Sequence, residues 1–172
     1  TDFGQTLRGR TFLVLIDGVP QSTPLRDGRR SLNSIDPSAI EQIEVVRGGN
    51  AAFGFGATGG TINIVTKKPE DGENRSYVET GVGVSTTELN DSESYSLSFG
   101  TTGREGNIDY LFDFSATSLG AKFDADGLRI PDDTTGVQGG TAETESFSAL
   151  AKIGFNFDDD RQRLEFSVLK YQ

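Results

Sequence analysis

Two rhythms of apolar and polar residues divide this chain near Pro69. Before that point the apolar runs are short and dense, as at Phe12 to Ile16 and Ile43 to Val46, and turns such as Asp17-Gly18 separate them. Dense runs bounded by turn signals predict strands of a small mixed globular unit. Asp36 followed by Pro37 places a capping residue ahead of a proline at the first helical position, so a short helix is expected over Asp36 to Glu41. A second helical turn is expected from Asn50 to Gly54.

After Pro69 the pattern becomes a plain alternation. Tyr95, Leu97 and Phe99 alternate with serines, and Ile108, Tyr110, Phe112 and Phe114 alternate with Asp109, Leu111, Asp113 and Ser115. Phe147, Ala149, Ala151, Ile153, Phe155 and Phe157 share one face, with Ser146, Ser148, Lys152 and Asn156 on the other. Leu164, Phe166 and Val168 continue the theme, and Tyr77 to Val84 adds one more segment, which makes five predicted strands. Each is about 8 to 12 residues long, near the roughly 9 to 11 that a tilted strand needs to cross a bilayer.

Alternation alone fits two arrangements: a sheet with one face on a protein core, or a transmembrane wall. Connection lengths separate them in part. Thr101 to Gly106 and Asp158 to Gln162 read as tight turns, whereas Ser118 to Glu145 is a long loop at the opposite end of the strands, an asymmetry found in outer-membrane barrels. The short link after Val84 does not follow that trend.

Composition narrows the choice. The 22 glycines and 12 phenylalanines favour pleated strands and turns over helices. No run approaches the roughly 20 apolar residues of a membrane-spanning helix, so a membrane protein built from this chain would use strands. The net charge of -10 argues against nucleic acid as a partner. Without histidine there is no Ser-His-Asp triad or His-ligated metal, and without cysteine no disulfide framework. Thr1 to Arg10 is polar and lacks the apolar core of a signal peptide, so the chain is expected to be mature or cut from a longer one.

Two short motifs are weighed against their structural alternatives. Gly54-Phe55-Gly56-Ala57-Thr58-Gly59 has the spacing of a dinucleotide fingerprint, but a β-branched run follows where a helix is required. Tight turns and close backbone approach explain these glycines better. Asp124-Ala125-Asp126-Gly127 starts like a calcium loop yet lacks the remaining ligand positions, which leaves a turn.

Four blocks in order resemble the plug of TonB-dependent outer-membrane receptors: Leu7-Arg8-Gly9, LVLIDGVP at 13–20, SIDPSAIEQIEVVRGG at 34–49 and FGFGATGGTINIVTKKP at 53–69. Gly49 and Phe53 depart from that pattern, where Pro and Tyr are common. The resemblance implies a β-rich fragment in which 1–69 is the C-terminal part of a small mixed α/β plug domain. Residues 70–172 would then form about five antiparallel strands of a roughly 22-stranded transmembrane β-barrel. It further implies energised import of a ferric siderophore across the bacterial outer membrane, with no catalysis and no resident cofactor. The implied partners are the siderophore, outer-membrane lipid and a TonB-type energy-coupling protein, whose binding segment would lie upstream of Thr1.

The resemblance also assigns roles. Arg8 and Arg47, beside glycines on apolar strands, would lock the plug to glutamates on later barrel strands; an ordinary solvated Arg at a strand end is the alternative. The loop from Val19 to Ile35 would rise toward the ligand, offering Gln21, Ser22, Thr23, Arg26, Arg29 and Arg30. Three arginines within five residues present forked donors to oxygen anions, although a solvated basic loop has the same composition. Two other functions stay open. The same fold could import cobalamin or a glycan, which uptake of labelled substrates separates. A soluble β-rich binding or adhesion module would instead stay monomeric without detergent.

Overall fold

The computed structural model describes residues 6–21, 35–49, 58–69, 72–131, 143–157 and 161–172. The chain forms two compact units, Thr1–Lys67 and Lys68–Gln172.

The first unit holds β1 (Phe12–Ile16), β2 (Val19–Pro20), a single 3-10 turn (Pro37–Ala39), β3 (Ile40–Arg47) and β4 (Gly60–Thr66). The sheet order is β2-β1-β4-β3. The dense apolar run of β1 suits a central strand, and all five of its residues are buried. β1 runs parallel to β4 and antiparallel to β2, which it meets through the two-residue Asp17-Gly18 turn. Both turn residues have positive φ, the geometry that matches strand twist in short hairpins.

The helix expected over Asp36 to Glu41 shrinks to one turn. Asp36 does cap it, accepting from the Ser38 N–H at 2.9 Å, but Ile40 already pairs with Thr66 as the first residue of β3. Strand pairing therefore outcompetes continuation of the helix. The turn expected at Asn50 to Gly54 lies outside the described residues.

The second unit is a five-stranded antiparallel sheet in sequence order: β5 (Asn74–Gly83), β6 (Ser94–Glu105), β7 (Ile108–Leu119), β8 (Thr144–Phe157) and β9 (Gln162–Tyr171). All five expected strands are present and longer than their apolar runs, from 10 to 14 residues. β6 absorbs most of the expected Thr101 to Gly106 turn, since Glu105 pairs with Ile108 and only Gly106-Asn107 is left to reverse the chain. At the other end the link after β5 is tied to the long loop, with the Ala121 N–H donating to the Asp91 carbonyl at 2.7 Å. Within that loop Asp124 accepts from the N–H groups of Asp126 and Leu128, making the turn expected there.

The Gly54 to Gly59 motif leads into β4 and not a helix, which removes the dinucleotide reading. Gly59 and Gly60 serve close approach. A Cβ on Gly60 would lie 2.2 Å from the Val46 carbonyl oxygen, and its φ of +137° is one that other residues avoid. Gly60→Ala is expected to destabilise the first unit by about 2 kcal/mol or more. Gly106→Asn, in open space at φ +57°, should change stability by less than about 0.5 kcal/mol. Protease resistance of the intact protein in rising urea measures both.

Candidate functional site

The two faces of the five-stranded sheet are inverted relative to a water-soluble protein. Val78 and Val82 of β5, Leu97 and Phe99 of β6, Tyr110 and Phe112 of β7, Ile153 of β8, and Phe166 and Val168 of β9 are all exposed. Phe166 and Val168 are 58% and 69% accessible. Phe99 packs against Phe112 and Phe114 with ring centroids 5.6 and 5.4 Å apart, forming an aromatic cluster on this outward face. On the other face Asp109, Asp113, Ser148, Lys152 and Asn156 are buried.

Magnitude decides what that outward face must meet. Returning a Val, Leu, Ile or Phe side chain to water forgoes about 1.5–3 kcal/mol when complete. Some ten half-exposed side chains thus amount to on the order of 10 kcal/mol, comparable to the net stability of a domain. An apolar surrounding removes that cost. Among the described residues no helix is long and apolar enough to cross a membrane.

The polar face satisfies itself across strands. Arg163 on β9 reaches over β8 to Asp109 on β7, with Nη2 donating to Oδ1 at 2.7 Å and Nη1 donating to Oδ2. The Asn156 amide also donates to Asp109 Oδ2, at 2.7 Å, while its oxygen accepts from Arg163 at 3.0 Å. Glu165 takes Arg163 at 2.8 Å and Lys152 at 3.0 Å. The Lys152 side chain is only 5% accessible, and a buried ammonium requires such a partner. Near β5, the Tyr77 hydroxyl donates to Asp113 across β6.

Both long-range contacts cross a strand at a glycine. Gly154 lies between Asp109 and Glu165 in register, and a Cβ there would collide with the Arg163 guanidinium. Gly100 lies between Tyr77 and Asp113, and a Cβ there would strike the Tyr77 ring. Sequence reasoning missed these residues as a cluster, although it placed Lys152 and Asn156 on the face opposite the aromatics. The signal was present in charges at alternate positions of three successive strands.

The sequence-derived site residues fall in the first unit. Arg8 sits in a tight turn, with φ +56°, closed by reciprocal Leu7–Arg10 hydrogen bonds. This corrects the expected strand position: Gly9 also has positive φ, so the pair forms a two-residue reversal. Arg47 ends β3 opposite Gly60, as Phe12 does from the other side, so it lies at the end of the sheet where β1 begins. Both arginines are exposed, and among the described residues neither forms an ion pair.

Gln21 follows β2, its N–H donating to the Val14 carbonyl at 2.9 Å and its side-chain amide to the Val19 carbonyl at 3.2 Å. Ser22, Thr23, Arg26, Arg29 and Arg30 lie outside the described residues. At the loop end of the second unit, Asp91, Ser118, Gly120, Glu143 and Glu145 line an open cleft of about 340 Å3. Among the described residues no group of His, Cys, Asp and Glu is arranged to hold a metal ion.

Comparison with known proteins agrees with this geometry. Residues 2–61 match the TonB-dependent Receptor Plug Domain family. The rhizobactin receptor of Rhizobium meliloti is 40% identical over 97% of this chain and 22% of its own length. The ferric aerobactin receptor of Klebsiella pneumoniae is 33% identical over 94% of this chain and 21% of its own. The chain therefore spans about a fifth of the curated relatives it matches. Among solved structures, the siderophore receptor PirA from Acinetobacter baumannii superposes with a TM-score of 0.67 at 24% identity, over 93% of this chain and 23% of that one.

Two substitutions probe the two faces. Val168→Arg on the outward face should lower stability by about 2–4 kcal/mol in lipid vesicles if it lies near the bilayer midplane. Asp109→Asn on the inward face should cost about 1–3 kcal/mol, because it weakens the contacts holding the Arg163 guanidinium. Urea unfolding of the intact protein in vesicles reads both.

Proposed function

We propose that this chain, which belongs to the TonB-dependent receptors of the bacterial outer membrane, is the part of a ferric-siderophore importer that joins the end of the plug to the opening strands of the barrel. One observation carries the proposal: a sheet of membrane-crossing length turns its apolar side chains outward and keeps its charged ones inward. A soluble sandwich would pack the phenylalanines together, and here several of them are exposed. The family is one of receptors rather than enzymes.

In this reading residues 1–69 complete the plug and 70–172 begin a barrel of roughly 22 strands. The change from a sheet with parallel pairing to a purely antiparallel one supports that boundary. Lipid contacts the outward face, and the inward face carries the polar network of the sheet. Arg8 and Arg47, exposed at one end of the plug sheet, pair with barrel glutamates beyond this chain. A TonB-type coupling protein supplies the energy.

The transported ligand is an iron complex and not a resident cofactor. Relatives named for rhizobactin and ferric aerobactin support an anionic ferric siderophore. Gln21, Ser22, Thr23, Arg26, Arg29 and Arg30 supply the polar and cationic donors that would receive its oxygens. Replacing Arg26, Arg29 and Arg30 with Ala in the intact receptor should weaken ferric aerobactin binding by about tenfold or more, since charge-assisted hydrogen bonds are lost. Titration of the purified receptor and uptake of iron-55 by cells check it. Unaltered affinity would remove these arginines from the ligand site, and absence of uptake by the wild type would remove the siderophore.

A further inference from the structure

Toward the loop end, the outward apolar run of each strand from β6 to β9 stops at a residue with a polar tip. Antiparallel partners share a face, so Ser118 and Glu145, which lie in one register row with Tyr95, leave the sheet on the same side as the tyrosine. On β8 the outward residues are apolar from Phe147 to Phe157 and give way to Glu145. At the rise and tilt of a barrel strand that run stands about 25 Å tall, the height of the apolar band of an outer-membrane barrel. The row of Tyr95, Ser118 and Glu145 therefore marks one border of the band.

On β9 the border residue is a cation. Lys170 pairs with Ala149, which pairs with Phe114, itself paired with Phe99, so the lysine shares the face of the aromatic cluster. Leu164, Phe166 and Val168 precede it at alternate positions. Lys170 is exposed, and among the described residues it forms no ion pair, with Glu145 or any other carboxylate. The inward Lys152 of the neighbouring strand is treated differently, being buried and held by Glu165 at 3.0 Å. An ammonium on an apolar face is costly in hydrocarbon unless its stem carries it to the headgroups. The small side chain of Ala149 opposite leaves room for that stem.

We propose that Lys170 binds a lipid phosphate in the leaflet at the loop end of the sheet. The proposal rests on the reading of the outward face as the lipid-facing wall of a barrel. Phosphate is the anion that a membrane surface offers at that depth, and an ammonium takes it as a point charge. The stem of the lysine covers apolar surface while its head leaves the hydrocarbon. Glu145 repels the same group, and the hydroxyls of Tyr95 and Ser118 bring no charge, so the attraction on this stretch of the border falls to Lys170.

The test uses the intact receptor in detergent, titrated with dipalmitoyl phosphatidic acid and, separately, with dipalmitoylglycerol, which has the same chains and no phosphate. Native mass spectrometry reads the first lipid bound. Lys170→Gln should weaken binding of phosphatidic acid about fivefold, whereas Lys170→Arg, which keeps the charge, should bind like the wild type. Dipalmitoylglycerol should bind all three proteins alike, and inorganic phosphate at millimolar concentration should not displace phosphatidic acid. Equal affinity of Lys170→Gln and wild type for phosphatidic acid, or an equal loss with both lipids, overturns the proposal. Displacement by inorganic phosphate makes the ligand a free anion and overturns the lipid. Flotation of the wild type with lipid vesicles is measured beside these titrations; a receptor that stays with the soluble fraction overturns the barrel reading itself.

Discussion

A strand that faces hydrocarbon on one side must discharge all of its polar chemistry on the other. The period of two along the strands enforces that division: outward Phe112, Phe114 and Phe147 are each followed by an inward Asp113, Ser115 or Ser148. Backbone groups are consumed by the ladders between adjacent strands, which form continuous registers from β5 to β9. The inward side chains then pair with one another across strands. No buried side-chain nitrogen or oxygen is left without a partner among the described residues.

That requirement explains the glycines and charges together. An ion pair such as Arg163 with Asp109 spans from β9 to β7, over a strand that would block it if its central residue carried a side chain. Gly154 opens that passage and Gly100 opens the one between Tyr77 and Asp113. Glycine weakens a strand by its own entropy and missing contacts. Here its absence of a side chain admits interactions that cross-link three strands at once, and those contacts offset the local loss.

The first unit meets a different constraint, because its sheet must bury one strand completely while carrying a long connection. β1 fills the centre with five apolar residues, and the turns at each end of it place the polar groups. Asp17 closes one end against Thr66. The other end gathers the Arg8-Gly9 turn, Arg47 and the two adjoining glycines at 59 and 60, where backbones approach too closely for a Cβ. Arg8 and Asp17 are therefore carried by short, sterically defined reversals attached to a buried strand. Such placement suits recognition, since loops supply chemistry and the sheet supplies position.

Strand existence was legible from alternation alone, and all five segments of the second unit were found where Phe, Tyr and Val alternate with Ser, Asp and Lys. The Asp17-Gly18 turn and the cap at Asp36 were legible too, because both depend on a few adjacent residues. Arg8 was misplaced onto a strand, since the sequence around it does not show that Leu7 and Arg10 bond to each other. Which face turns outward could not be read from a period of two, which is the same for a soluble sheet and a membrane wall. Nor could the cluster of Asp109, Asn156, Arg163 and Glu165, whose hydrogen-bonded members are up to 54 positions apart and meet only through the register of two hairpins. Local pattern determined the elements, their turns and the family they resemble. Register and burial decided the inward charges and the Asp17–Thr66 clamp, because those contacts join residues that only the ladders between strands bring within hydrogen-bond distance.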